Sequence, residues 1–311
     1  MPEYAPFDLP EPDPQALAGL PHLRRFQPAP GLWAWYDGRV PGYRAYPQPN
    51  WIDEGALAVG IASFALVAGD EALVYDPHTS VTHGARVRAD LDTMGVRRYR
   101  VVLSHRHMDH IAGTAAFAGF PVIANAVTAA HLARDRAEIE TGSLRGAPPI
   151  APLILPDTVF DSRLAFDFGG RRVELLHFDI HSDDGTVLWL PDERLLLAGD
   201  TLEDPITYLA EPGRLAAHLV DLHRLADLKP RRILPNHADP DRLAAGGFGP
   251  GLIDATIRYV TFLTELEDNP GRTDWPLEQV IADDLAAGIV VWHRSYVEVH
   301  ADNVRAVLEA A

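Results

Sequence analysis

The run His105-Arg106-His107-Met108-Asp109-His110 places three imidazoles and one carboxylate within six residues. Imidazole nitrogen and carboxylate oxygen are the natural ligands of divalent zinc and of non-haem iron or manganese. In an extended backbone, His105 and His107 project to the same side. Asp109 and His110 then fall at the next turn and can reach a second ion. The plain alternative is a surface loop that happens to be rich in histidine. Three further segments weigh against it: His181 after Leu176–Ile180, Asp200 after Leu196–Gly199, and His237 after Ile233–Asn236. Each of these donors follows an apolar run.

Those runs are the elements that must position the donors. Tyr99–Leu103 is short and mostly apolar and reads as a buried strand leading into His105. Ile61–Val67 and Glu71–Tyr75 are β-rich and split by Gly69-Asp70, a hairpin signal that ends at Asp76. Pro121–Ala124, Arg172–Leu176, Thr186–Leu190, Leu195–Ala198 and Arg232–Leu234 read as further strands. Helices are expected over Arg86–Met94, from Gly113 to Phe117, and over Val127–Ala137. Arg214–Leu228 carries Leu215, Leu219, Leu222 and Leu225 on one stripe, the mark of an amphipathic helix. Further helices are expected over Leu252–Leu266, Leu277–Ala287 and Val291–Leu308. Strands alternating with helices predict an α/β fold. In such folds, ligands gather beyond the carboxyl ends of strands, where every donor cluster here lies.

Residues 1–50 hold 11 of the 26 prolines. Proline removes a backbone donor and fixes φ, so this stretch reads as an arm laid over the body, neither regular helix nor central strand. Residues 51–245 then form the catalytic core, and 246–311 a helical extension packed on it.

Composition narrows the chemistry. The chain has 311 residues, 47% of them hydrophobic, and no cysteine. A disulfide framework, a thiolate zinc site, an iron–sulfur cluster and a Cys nucleophile are all excluded. The net charge of −17 argues against a nucleic-acid partner. Met1–Pro14 is acidic and Pro-rich, without the basic and apolar regions of a targeting segment, and the longest apolar stretch, Ala56–Ala68, is too short to span a bilayer. A soluble, cytoplasmic protein without a membrane partner is expected; a homodimer is compatible with this.

Taken in order, Asp76, the HxHxDH run, His181, Gly199-Asp200 and His237 resemble the motifs of the metallo-β-lactamase superfamily. The resemblance covers roughly Ile61 to His237. It implies a four-layer αββα sandwich with an N-terminal arm and C-terminal helices. It also implies two divalent ions, zinc first, with iron or manganese as alternatives. His105, His107 and His181 would hold one ion, Asp109, His110 and His237 the other, and Asp200 would bridge them. Asp76 would orient a ligand. His177 competes with His181, and the order of the family motifs favours His181. Three positions depart from the usual pattern: Ile180 replaces a Gly, Asn236 and Ala238 flank the last His, and Pro77-His78 follow the early Asp.

Two ions roughly 3.5–4 Å apart can lower the pKa of a shared water from about 15.7 to about 7. The resemblance therefore implies a hydrolase that uses a metal-bridging hydroxide on an ester, lactone or thioester of a small molecule, with Asp109 handling the proton. A bridging Asp200 disfavours β-lactam hydrolysis. Few basic residues stand in the C-terminal region to bind glutathione as glyoxalase II does. Lactonases of the superfamily place a Tyr soon after the bridging Asp; here Tyr208, eight residues on, takes that place as a second catalytic candidate. A mononuclear iron oxidoreductase of the persulfide dioxygenase kind, or a phosphodiesterase, is the alternative.

Among the remaining histidines, His218 is expected at the core or its rim and His223 in solvent. His78 lies near the site in sequence. Gly246–Gly251 is either a pocket loop or the entry to a helix. Trp292, His293, Tyr296 and His300 are expected on one helix, as a cap over the site or as packing. Tyr46, Asn50 and Trp51 are candidates for a second wall.

Overall fold

The computed structural model describes residues 19–310. The chain divides into two compact units, Met1–Arg171 and Arg172–Ala311.

The first unit is built on a seven-stranded sheet of order β1-β2-β3-β4-β5-β6-β7. Its strands are β1 (Arg24–Ala29), β2 (Leu32–Asp37), β3 (Ile61–Ala68), β4 (Glu71–Tyr75), β5 (Arg98–Val102), β6 (Val122–Asn125) and β7 (Thr158–Phe160). β1 to β4 pair antiparallel, and β4 to β7 parallel. The parallel strands are joined by helices, as parallel connections require. α1 (Val81–Thr93) starts at Ser80, whose hydroxyl accepts from His83 N. A four-residue helix, α2 (Met108–Ile111), follows β5. α3 (Ala126–Thr141) is capped by Asn125 and closed by Gly142 at φ 75°. Trp35, Val74, Val87, Leu91, Val101 and Phe117 sit at the centre of the core.

Part of residues 1–50 contradicts the expected arm, while residues 1–18 lie outside the described residues. β2 is an interior strand, hydrogen-bonded on both sides, and Trp35 and Tyr36 are fully buried. The physical reason lies in where the prolines fall. Leu32–Asp37 contains none, and Pro28 lies in the edge strand at a register shift between Phe26 and Ala29, where a missing N–H costs least.

A second sheet has the order β12-β11-β10-β9-β8. Its edge strand β8 (Arg163–Phe168) falls among the residues of the first unit, while β9 (Arg171–Ile180, from Arg172 on), β10 (Ser182–Leu190), β11 (Leu195–Gly199) and β12 (Arg232–Pro235) belong to the second. α4 (Leu215–Ala226) buries Leu215, His218, Leu222 and Leu225; His218 takes the stripe position expected of Leu219, and His223 is exposed. α5 (Gly251–Thr264) and α6 (Tyr296–Ala310) complete the unit. Phe248 bridges Ile233, so the Gly246–Gly251 segment borders the sheet before α5 begins. The helix expected from Val291 begins only at Tyr296. Trp292 and His293 precede it, and the expected Leu277–Ala287 helix breaks into Leu277–Val280 and Ala282–Ala286.

Candidate metal centre

In the first unit the donors hang on Asp76. It directly follows β4 with φ 56°, a left-handed conformation that Asp tolerates better than most residues. Its backbone N donates to Val102 O at 2.9 Å, and its Oδ1 accepts from Ser104 N at 2.7 Å, tying the exit of β4 to the exit of β5. Its Oδ2 lies 2.9 Å from Nδ1 of His110, and both side chains are fully buried. Burial raises the Asp76 pKa, and this outweighs the lowering by His110 and Ser104.

His107 is extended at φ −65°, ψ 145° and α2 starts immediately after it. That backbone change leaves His107 on the extended residue before the helix and puts Asp109 and His110 on its first turn. The His105 ring centroid is 4.5 Å from that of His107 and 4.3 Å from that of His110. The His105 Nδ1 lies 2.8 Å from Ser104 Oγ. Asp109 Oδ2 is 3.7 Å from His110 Nε2, and its side chain is partly open to solvent. The next turn is packed backbone on backbone: a Cβ at Gly113 would stand 1.9 Å from Pro77 O.

In the second unit the connection from β9 to β10 is a single residue, His181, at φ 69°. The left-handed position is thus taken by the histidine itself, and Ile180, where family members commonly have Gly, is an ordinary buried strand residue. His181 Nδ1 donates to Tyr208 O at 2.7 Å, and Ala210 N donates back to His181 O at 3.0 Å. Asp200 directly follows β11, and its Oδ2 lies 3.7 Å from His181 Nε2 and 3.4 Å from His237 Nε2. Asn236, Ala238 and His237 itself are all buried, and the His237 carbonyl accepts from Asp204 N at 3.1 Å.

A carboxyl group that sequence reasoning missed sits beside these donors. Glu203 accepts from Tyr208 N at 2.9 Å and from the Tyr296 hydroxyl at 2.9 Å, and lies 3.7 Å from His181 Nδ1. Burial and the neighbouring Asp200 push its pKa up to about 8. A lone Glu three residues after Asp200 forms no motif, so its partners became visible only with the fold.

The other candidates are placed as follows. His177 Nε2 is engaged by Asp183 O at 2.7 Å. His218 is buried with Nε2 3.5 Å from Asp179 Oδ1. His78 is buried and stacked on His83, with centroids 4.4 Å apart. Tyr208 is half-buried, its ring centroid 5.9 Å from that of His181. Asn50 binds Asp53, Trp51 donates to Pro148 O, and Tyr46 is exposed. No helix among the described residues is long and apolar enough to cross a membrane.

Three comparisons bear on this arrangement. A family model described as the metallo-β-lactamase superfamily matches residues 57–237, more than half of the chain. Among curated proteins, avaE of Aspergillus versicolor, which bears the name of a transcription factor, is 29% identical over 210 residues, 60% of this chain and 62% of that protein. The β-lactamase-like protein 2 homologue of Drosophila melanogaster is 26% identical over 155 residues, 49% of this chain and 46% of its own length. The chain thus spans about half to three-fifths of the curated relatives it matches. Among solved structures, a metallo-β-lactamase from Pontibacter korlensis aligns with a TM-score of 0.57 at 17% identity, over 77% of this chain and 99% of that one. The DIM-1 metallo-β-lactamase aligns with 0.58 at 15% identity, over 78% and 98%. These likenesses show the fold: mixed α/β with two sheets and flanking helices.

Proposed function

The chain belongs to the metallo-β-lactamase superfamily, and from that membership we propose that it is a dinuclear metal-dependent hydrolase of a small-molecule ester, lactone or thioester. In this reading His105, His107 and His181 would hold one ion and Asp109, His110 and His237 the other, with Asp200 available to both. The observation that carries it is the tautomer of one histidine in each unit. A backbone carbonyl can only accept, so the Nδ1 of His181 carries the proton and Nε2 presents a lone pair. The Asp76 carboxylate orients His110 in the same sense. Asp200 Oδ2 then lies 3.4 and 3.7 Å from two Nε2 atoms, too long for hydrogen bonds and suited to sharing a cation. An all-nitrogen and oxygen donor set fits zinc, with iron or manganese as alternatives.

Bound divalent ions supply a Lewis acid and acidify water. The chain's own residues do the rest. Asp109, the partly exposed carboxylate, takes a proton from the attacking water and returns it to the leaving group. The Tyr208 hydroxyl donates a hydrogen bond to the substrate's carbonyl oxygen. The net charge of −17 favours a small substrate over a nucleic acid.

The test is metal quantitation on the purified protein together with a hydrolysis screen over lactones, thioesters, phosphodiesters and β-lactams. Two equivalents of metal, and turnover lost in His105→Ala and Asp200→Ala, are expected. Absence of stoichiometric metal, or activity surviving both substitutions, refutes the reading. Oxygen consumption with a persulfide would move it to an iron oxidoreductase.

A further inference from the structure

We propose that Tyr296 and Asn303, on α6, are positioning residues for His181, acting through the loop of residues 201–210. The inference rests on the reading of His181 as a metal ligand. The family match ends at residue 237, so nothing in it assigns a role to α6.

The loop between Asp200 and α4 has no regular secondary structure from 205 to 209, yet almost all of it is buried. A buried loop must find partners for its backbone. Here α6 and the segment before it provide them. Asn303 Oδ1 accepts from Leu209 N at 2.9 Å, while its Nδ2 donates to Thr207 O at 3.0 Å. One amide thus brackets Tyr208 on both sides. The Tyr296 hydroxyl donates to Glu203 Oε2, and the other oxygen of Glu203 accepts from Tyr208 N. Val291 N donates to Asp204 Oδ1 at 2.7 Å. Tyr296 and Asn303 are both fully buried.

The consequence reaches His181 through two backbone contacts. The Tyr208 carbonyl sets its tautomer and ring plane, and Ala210 N holds its own carbonyl. A helix that fixes Thr207, Tyr208 and Leu209 therefore fixes the direction of the His181 Nε2 lone pair. Groups bonded directly to a ligating histidine typically change metal affinity about tenfold to a hundredfold, and Tyr296 and Asn303 act one contact further out.

The experiment uses the full chain, stripped of metal and titrated with zinc against a chromophoric chelator, and in parallel with cobalt, whose visible absorption reports ligand geometry. Tyr296→Phe removes one oxygen; Asn303→Ala removes the bracket. Each is expected to weaken one of the two equivalents by up to about tenfold and to shift the cobalt spectrum. Val307→Ala, a buried truncation on the same helix, is expected to lower the melting temperature while leaving affinity and spectrum unchanged. Wild-type affinity and spectrum in both Tyr296→Phe and Asn303→Ala overturn the inference, as does an equal loss in Val307→Ala. If Asn303→Ala does not fold, Tyr296→Phe alone decides. A wild-type chain that takes up no metal overturns the functional reading as well; a wild-type chain that binds, with variants that match it, overturns only the inference.

Discussion

The Nδ1 of His181 donates to the carbonyl oxygen of Tyr208 at 2.7 Å, a backbone contact separate from the role proposed for the tyrosine hydroxyl. The two roles separate in Tyr208→Phe. The carbonyl stays, so metal content is expected to match wild type, while kcat/KM falls about tenfold to a hundredfold with the loss of one hydrogen-bond donor. Metal analysis beside steady-state kinetics checks both parts. Metal loss in this variant would assign the hydroxyl to holding the loop.

Asp76 receives the Nδ1 proton of His110 in a fully buried pair. Asp76→Asn keeps the volume and removes the charge. Zinc affinity is expected to fall about tenfold to a hundredfold. Competition with a chelator measures it, and an unchanged affinity would leave Asp76 a purely structural residue at the exit of β4.

Gly113 has a backbone oxygen where a side chain would go, with Pro77 O 1.9 Å from an added Cβ. Backbone cannot swing aside as a long side chain can. Gly113→Ala is expected to destabilise the protein by about 1–3 kcal/mol, read from urea denaturation of the metal-free chain. A midpoint within error of wild type would mean that the Pro77 turn relaxes freely.

His300 is held neutral. Its Nε2 donates to Trp275 O at 3.0 Å, and its Nδ1 accepts from the Tyr259 hydroxyl, which itself accepts from Asn303 Nδ2. Burial lowers its pKa below the usual 6.5. The unfolded chain takes up the proton first, so this contribution is complete above about pH 6.5 and is lost as pH falls from there toward the folded value. The metal-free protein is expected to lose melting temperature between pH 7 and 5, and His300→Gln to flatten that loss. Parallel curves for the two proteins would contradict it.

Much of this was legible in the chain because metal donors and buried strands both leave local signals. The HxHxDH run and the apolar strands before His105, Asp200 and His237 appear where the pattern put them. What stayed hidden depended on partners distant in sequence. β2 was masked by prolines that turn out to lie on either side of it. Glu203 and Asn303 are single polar residues whose meaning lies in hydrogen bonds to positions 93 and 94 residues away, respectively. No periodicity announces such contacts. α6 starts at Tyr296, five residues later than its apolar pattern suggested, and Val291 N bonds Asp204 Oδ1 in the segment before it.

The one-residue connection at His181 also limits which residue can stand there. A positive φ is tolerated by Gly, Asn, Asp and His far better than by β-branched residues. The strands on either side already take up one extra residue as a register shift between Ser182 and Gly185, so spare length is absorbed in the pair and not at the turn. A β-branched residue at 181 would strain the turn as well as remove the imidazole.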